Sequence, residues 1–243
     1  MNLNISIPKV IIQTGFSEIN TSKTKNKIIT ENPEYTYKYY NNTDCINFIN
    51  KNFSYNVVKA FNKLKPGAFK ADLFRYCYLF INGGIYIDLD ICPEKPLNEI
   101  IIKDTHFVSC LEDRPNRNIN GIYQGFIASV KNLEFFKIAI NKIVINTEIE
   151  YYPKNISSDI WINILSITGP VLLYNSLNFI KRPCLGINNL KNIIIYLYKY
   201  NQHVFDLNKE KILTNNIQFL RCNDYATLYI QKDIYNKSTK FFL

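Results

Sequence analysis

The sequence predicts an α/β fold: a mostly parallel central sheet flanked by helices, with helical and C-terminal additions. Three observations carry this. Short apolar runs of strand length alternate along the chain with amphipathic stretches of helix length, the pattern of strand–helix–strand units. The run Ile85-Tyr86-Ile87-Asp88-Leu89-Asp90 is released by the pair Gly83-Gly84 and ends in two carboxylates. Finally, 243 residues at 47% hydrophobic content suffice for one full core and exclude a disordered chain.

The elements follow in order. Lys9 to Thr14 follows Pro8 and reads as a short buried strand, and the polar stretch Ser17 to Asn32 as an exposed helix. Tyr35 to Tyr40 alternates like a second strand. Thr43 is a candidate N-cap for a helix carrying Cys45, Phe48 and Ile49, and Val57, Ala60, Phe61 and Leu64 mark another helix before Pro66. Gly67 to Asn82 holds a longer helix with Ala71, Phe74, Cys77, Tyr78 and Ile81 inward, ended by Gly83 and Gly84. After the acidic strand, Pro93 and Pro96 break regular structure. His106 to Leu111 reads as a strand, Glu112 to Asn120 as a loop, Gly125 to Val130 as a strand, and Leu133 to about Ile145 as an amphipathic helix. A helix surrounds Trp161, Thr168-Gly169-Pro170 opens another with Pro170 in its first turn, and Ile193 to Tyr198 and Thr227 to Ile230 are strand candidates.

Composition narrows the function classes. The net charge of +9 and a pI near 9.1 favour anionic partners, but the lysines are spread rather than clustered. Cys45, Cys77, Cys92, Cys110, Cys184 and Cys222 form no CxxC pair and sit among apolar neighbours, which suits buried free thiols in a reducing compartment better than disulfides or zinc. No apolar run is long enough to span a bilayer, and Met1 to Ile7 lacks the regions of a signal peptide. The expectation is a cytoplasmic protein without a membrane anchor, in a host cell's cytoplasm if virus-encoded.

The chemistry concentrates in the acidic run. Strand side chains alternate, so Tyr86, Asp88 and Asp90 are expected on one face and Ile85, Ile87, Leu89 and Ile91 on the other. Adjacent carboxylates at a strand end repel each other, and a divalent cation is the simplest thing that turns repulsion into attraction. Mg²⁺ or Mn²⁺ takes oxygen ligands and commonly joins one or two carboxylates to substrate phosphates. Upstream, Asp72 and Arg75 stand three apart on one helix face. They are either a surface ion pair of roughly 0.2–0.5 kcal/mol or functional groups, Arg75 for diphosphate charge and Asp72 for sugar hydroxyls.

In order, the residues Ala71-Asp72-(x2)-Arg75-Tyr76, Gly83-Gly84-Ile85-Tyr86-(x)-Asp88-(x)-Asp90 and Lys95-Pro96-Leu97 resemble glycosyltransferase family 32, the DXD-containing mannosyl- and galactosyltransferases, and the related clostridial glucosylating toxins. The likeness extends to Ile7–Thr14, Asn32-Pro33, Gln124–Ser129 and Thr168-Gly169-Pro170, covering roughly residues 5 to 180. It implies one GT-A-like domain over 1–243, with a nucleotide-sugar part at about 5–130 and an acceptor side at about 131–243. It implies an enzyme that moves a hexose from UDP- or GDP-sugar to a glycan, glycolipid or protein acceptor with retention, using Mn²⁺ or Mg²⁺. Asp72 and Arg75 would hold the transferred sugar, Tyr86 would pack near the nucleoside, and Gln13 and Thr14 would sit beside the base. Asp88 would contact ribose and metal-bound water, and Asp90 would ligate the metal.

Two positions depart from the family pattern. Ile12 stands where relatives usually carry His, and the C-terminal His or Ser-x-Trp is not evident, which leaves Asn236 and Ser238 as candidate further ligands. His203 is either a ligand or, beside Val204 and Phe205, structural; Trp161 reads as core rather than a base-stacking platform; and His106 opens a strand and has no assigned role. Competing readings are a haloacid-dehalogenase-like phosphatase, a catalytically degenerate sugar-nucleotide binder and a basic nucleic-acid-binding module. The phosphatase needs Thr or Val where Cys92 stands and a later acidic pair, and the chain has no Asp-Asp. No nucleic acid is expected, because the aromatics follow core periodicity and no basic stripe appears.

Overall fold

The structure is a computed structural model of the chain, and it describes residues 6–15, 22–114, 119–153, 160–177, 186–190, 193–201, 203–205, 211–215 and 225–236. The first half is built from β1 (Val10–Thr14), α1 (Ser22–Glu31), β2 (Thr36–Tyr40), α2 (Asn42–Asn52), α3 (Tyr55–Lys63), α4 (Gly67–Asn82), β3 (Gly84–Ile87), β4 (Ile91–Pro93) and α5 (Leu97–Ile100). The remainder comprises β5 (Phe107–Arg114), β6 (Ile119–Ile122), β7 (Phe126–Ser129), α6 (Glu134–Glu148), α7 (Ile160–Leu165), α8 (Pro170–Leu177), β8 (Gly186–Leu190), β9 (Ile193–Asn201), β10 (His203–Phe205), β11 (Lys211–Asn215) and α9 (Tyr225–Ile230).

The α/β class stands, and the sheet is mixed. Its strands run β2-β1-β3-β7-β5-β9-β10-β11-β4, with β6 beside β5 and β8 beside β9. The parallel pairings are β1 with β2, β1 with β3 and β5 with β9; β7 lies antiparallel between β3 and β5, and the C-terminal pairings are antiparallel. Alternation along each strand splits the core in two. Ile12, Tyr86, Phe107 and Ile127 face the layer of α2, α3, α4 and α6, whereas Ile11, Ile85, Ile87, Val108, Phe126 and Ala128 face Ile28, Ile91, Leu97 and Ile100. Four cysteines, Cys45, Cys77, Cys92 and Cys110, are free and buried, as the sequence implied, while Cys184 and Cys222 lie outside the described residues.

Helix α4 is the spine of the site. Phe69, Leu73, Phe74, Tyr76, Cys77 and Leu79 are all buried, so the helix is enclosed on most sides. It ends where the Gly83 amide donates to the Leu79 carbonyl and φ turns to 66°. Gly84 follows at φ 109°, where an added Cβ would stand 2.9 Å from the Val10 carbonyl oxygen. Only glycine allows the helix to hand over to β3 while β1 lies this close.

Three local expectations are corrected. The N-cap of α2 is Asn41, not Thr43: its side chain accepts from the Asp44 amide while the Asp44 carboxylate accepts from the Asn41 amide. The reciprocal pair satisfies two orphan donors, which a lone Thr cannot. The segment Glu112 to Asn120 is not simply a loop, because β5 runs on to Arg114 and pairs with β6 as a hairpin. Thr227 to Ile230 lies in helix α9 rather than a strand. Ala226 and Tyr229, three apart, are its buried residues, and so short an apolar run fits either period.

Candidate active site

The polar cluster lies at the carboxyl end of β3, where ligands of open α/β sheets bind. Strand β3 stops at Ile87, and Asp88 is fixed by its backbone: its amide donates to the Gly125 carbonyl (2.9 Å), and its carbonyl accepts from Gln13 Nε2 (3.2 Å) and the Ile91 amide (3.0 Å). The face alternation therefore holds as far as Asp88, beside Tyr86. It does not reach Asp90, because Leu89 and Asp90 form the turn closed by the Ile91–Asp88 bond. This corrects the expectation of one continuous acidic strand.

Arg75 organises the floor and is 3% exposed. Its NH1 donates to the Gln124 carbonyl at 2.6 Å, and its NH2 lies 3.3 Å from Asp88 Oδ1 and 3.4 Å from Asp72 Oδ1. Its guanidinium lies 4.2 Å from the centre of the Tyr86 ring, a cation–π contact in a desolvated place. The Tyr86 hydroxyl donates to the same Asp88 Oδ1 at 2.8 Å. Burial works against the charge on Arg75, but Tyr86, Asp88 and Asp72 more than offset it and hold the guanidinium protonated. Burial pushes Asp72 up to about 6, against the pull of Arg75 and of the Thr168 hydroxyl, which donates to Asp72 Oδ2 at 2.7 Å.

These groups open onto a cleft of about 230 Å³ whose lining includes Asp72, Arg75, Asp88, Gln124 and Thr168 together with Phe69, Leu165 and Tyr225. The ion pair of Asp72 and Arg75 is thus a buried element of the cleft, not a surface pair. Asp90 is half-buried in the turn and does not line this cleft.

The other sequence-derived candidates fall as follows. Gln13 is fully buried, and its amide spans Asp88 and Tyr37: Nε2 donates to the Asp88 carbonyl and Oε1 accepts from the Tyr37 hydroxyl. The Thr14 hydroxyl donates to the Tyr40 carbonyl at 2.8 Å. Tyr86 is buried beneath Arg75. Asn236 is absent from the cleft lining, and its side-chain amide donates to the Asn62 carbonyl at the end of α3, so the fold does not bring it to Asp88 in this structure. Ser238 lies outside the described residues, as does the side chain of His203. Trp161 is half-buried and packs edge-to-face on Tyr225.

Tyr76, Gln124 and Thr168, to which the sequence motifs assign no role, are central to the site. The Tyr76 hydroxyl donates to Gln124 Oε1 (2.8 Å) and reaches the Thr168 carbonyl (2.9 Å). It therefore ties together the two loops that hold Arg75 and Asp72. Gln124 and Thr168 each adjoin a glycine in a break between apolar runs, the one signal the sequence offers, whereas Tyr76 lies inside the apolar helix α4 and carries none.

A divalent cation fits the groups present. Among the described residues no cluster of three His, Cys, Asp or Glu could enclose an ion alone. Mg²⁺ and Mn²⁺ sites of the kind that share one or two carboxylates with phosphate oxygens need none. Both protein contacts of the Asp88 carboxylate go to Oδ1, and a third of the side chain is exposed.

In fold the domain resembles glycosyltransferase domains, and the segment that carries the site resembles a DXD sugar-binding region. Residues 19–107 match the family described as "Glycosyltransferase sugar-binding region containing DXD motif", a span that takes in Asp72, Arg75, Tyr86, Asp88 and Asp90. The chain is 31% identical over 100 residues to an uncharacterized glycosyltransferase of Acanthamoeba polyphaga mimivirus, covering 39% of this chain and 40% of that one. It is 36% identical over 73 residues to the initiation-specific alpha-1,6-mannosyltransferase of Candida albicans, covering 29% of this chain and 19% of that one. The chain thus spans well under half the length of these relatives. Among solved structures, the PaToxG glycosyltransferase superposes with a TM-score of 0.50 at 18% identity, over 71% of this chain and 69% of that one, a likeness of fold. The resemblance read from the sequence is borne out. Among the described residues no helix is long and apolar enough to cross a membrane.

Proposed function

We propose that this chain is a metal-dependent, retaining hexosyltransferase that takes its sugar from a UDP- or GDP-hexose and passes it to a hydroxyl acceptor. The observation that carries the reading is the array at the floor of the cleft, in which buried Asp72 and Arg75 meet half-buried Asp88 through ion pairs and hydrogen bonds. At about 230 Å³ the cleft is smaller than the ~300–1,000 Å³ of sites that enclose whole drug-sized ligands. It suits the sugar end of the donor, with the nucleotide running over the ends of β1 and β3.

Asp90 and the open edge of Asp88 would hold Mn²⁺ or Mg²⁺, which supplies Lewis-acid stabilisation of the departing diphosphate. Arg75 carries a fixed positive charge into a desolvated floor, where charge developing on the leaving group is stabilised without reorganisation. Asp72 accepts hydrogen bonds from sugar hydroxyls. Both of its oxygens are already engaged, Oδ1 by Arg75 and Oδ2 by Thr168, so it is built to hold position rather than to attack. That favours front-face substitution, in which the acceptor oxygen arrives on the side the diphosphate leaves and the departing phosphate takes the acceptor proton.

The test is release of UDP or GDP from a panel of nucleotide hexoses, with Mn²⁺ and with EDTA, by the wild type and by Asp90→Asn. Metal-dependent release from one donor, lost in Asp90→Asn while the far-UV spectrum and melting temperature persist, supports the reading. Equal release by the variant rules out the metal assignment.

A further inference from the structure

Asp88 and Asp90 stand beyond the end of β3, where the sheet holds the chain on one side only. Toward β7 the ladder lasts as far as the Asp88 amide, which reaches the Gly125 carbonyl. Toward β1 it pairs Ile11 with Ile85 and Ile12 with Tyr86 and stops there, two residues short of Asp88. Where this ladder ends, the side chain of Gln13 takes over. Its Nε2 donates to the Asp88 carbonyl at 3.2 Å, the same oxygen that accepts from the Ile91 amide and closes the turn. The other end of the amide is fixed as well, because Oε1 accepts from the Tyr37 hydroxyl of β2 at 2.8 Å. By alternation Gln13 shares the face of Ile11, away from α4, whereas Arg75 and Tyr86 engage the Asp88 carboxylate from the α4 side. Asp88 is thus held from both faces of the sheet, by its side chain on one and its carbonyl on the other. Leu89 adds a contact with β1, since its Cδ1 lies 2.4 Å from where a Cβ on Gly15 would stand.

We propose that Gln13 is a positioning residue for the divalent cation: through the Asp88 carbonyl it sets the direction of the Asp88–Leu89 peptide, and with it the spacing of the Asp88 and Asp90 carboxylates. The inference rests on the donor reading above, and it moves Gln13 from beside the base, where the family resemblance puts it, to beneath the acidic turn. Gln13 is 0% exposed, and its amide is bonded at both ends, so it presents no surface to a base laid over the strand ends. Rotation of the Asp88–Leu89 peptide would swing Asp90 relative to Asp88, and the Gln13 bond to its oxygen resists that rotation. Mg²⁺ and similar small cations demand near-ideal ligand geometry. Groups that hold a ligand in place contribute about 10–100-fold to metal affinity.

The experiment titrates UDP and GDP into the full chain, with Mn²⁺ and with EDTA, and takes the ratio of the two dissociation constants as the metal's share of binding. Gln13→Met, similar in size but without the donor, is expected to lower that ratio about tenfold, with the affinity in EDTA and the preference between UDP and GDP unchanged. Ile140→Val, a buried change on α6, should lower the melting temperature and leave the ratio as it is. Should Gln13→Met fail to fold, Tyr37→Phe decides: it removes only the hydroxyl that holds Oε1 and should lower the ratio about threefold. An unchanged ratio, equal losses in Mn²⁺ and EDTA, or an altered choice between UDP and GDP would overturn the proposal while leaving the donor reading intact. A ratio near one in the wild type, or no binding of either nucleotide, would instead overturn the donor reading, and this inference with it.

Discussion

The hydroxyl of Thr168 donates a 2.7 Å hydrogen bond to Oδ2 of Asp72, joining residues 96 apart in the chain, and with Arg75 on Oδ1 this contact fixes the orientation of a carboxylate buried in the floor of the cleft. Hydrogen bonds to charged groups contribute ~1.5–3 kcal/mol. Thr168→Val, which keeps the shape and removes the donor, is therefore expected to lower stability by about that amount, read as a lower urea midpoint with unchanged slope. Thr168→Ser should restore most of the loss, because it restores the donor.

Arg75 and Asp72 form a pair whose two members cannot be removed separately without penalty. Arg75→Met leaves a buried carboxylate uncompensated and should cost ~3–5 kcal/mol. Adding Asp72→Asn should recover part of that, so a double-mutant cycle in urea is expected to show coupling well beyond additivity. Arg75→Lys keeps the charge but loses the fork that reaches Gln124, Asp72 and Asp88 together, so it should fall between the two.

The raised pKa of Asp72 gives stability a pH signature in the protein without metal or donor. Folding lifts this group from 3.8 to about 6, so between those values the native state holds more protons than the unfolded state. Its contribution is then most favourable below about pH 4, is lost as pH rises through about 6, and amounts to ~3 kcal/mol at most. Subtracting the urea-derived stabilities of Asp72→Asn from those of the wild type across pH 4–7 isolates this term. The difference should move steadily against the wild type over that window, and a flat difference would contradict the assignment.

Gly84 carries a steric prediction. At φ 109° with the Val10 carbonyl 2.9 Å from an added Cβ, Gly84→Ala must separate β3 from β1. Strain of this kind costs ~1–3 kcal/mol. Because β3 ends in Asp88, the same change should weaken donor binding more than a surface change of equal stability cost, which a nucleotide titration of the two variants would reveal.

Much of the fold was legible in the sequence because the signals were local. Pro170 opens α8, Gly83-Gly84 closes α4, and Ile85, Tyr86 and Ile87 of β3 alternate between two faces as the spacing predicts. The reading failed where the decisive partner lay elsewhere. The β5–β6 hairpin needs only backbone pairing and leaves no apolar run, the turn at Leu89–Asp90 breaks an alternation that looks continuous, and α9 is helical because Ala226 and Tyr229 find the core at helical spacing. In the site, Asp72, Arg75 and Asp88 were recognisable from spacing, and the structure brings them together. The contribution of Tyr76 was not, since a tyrosine in an apolar helix reads as core until Gln124 and Thr168 are seen to meet at its hydroxyl.

The central claim is that the Asp88–Asp90 turn and the Arg75 floor bind a nucleoside diphosphate sugar through a divalent cation. The most direct measurement is a thermal-shift titration of the purified chain with UDP, GDP and their hexoses, each with Mn²⁺ and with EDTA. A ligand at ~100 times its dissociation constant adds ~2.7 kcal/mol, which for a chain of this size raises the melting temperature by about 5–11 °C. The account predicts such a rise with one nucleotide in Mn²⁺, abolished by EDTA and by Asp90→Asn. A rise indifferent to metal, or none with any nucleotide, would contradict it.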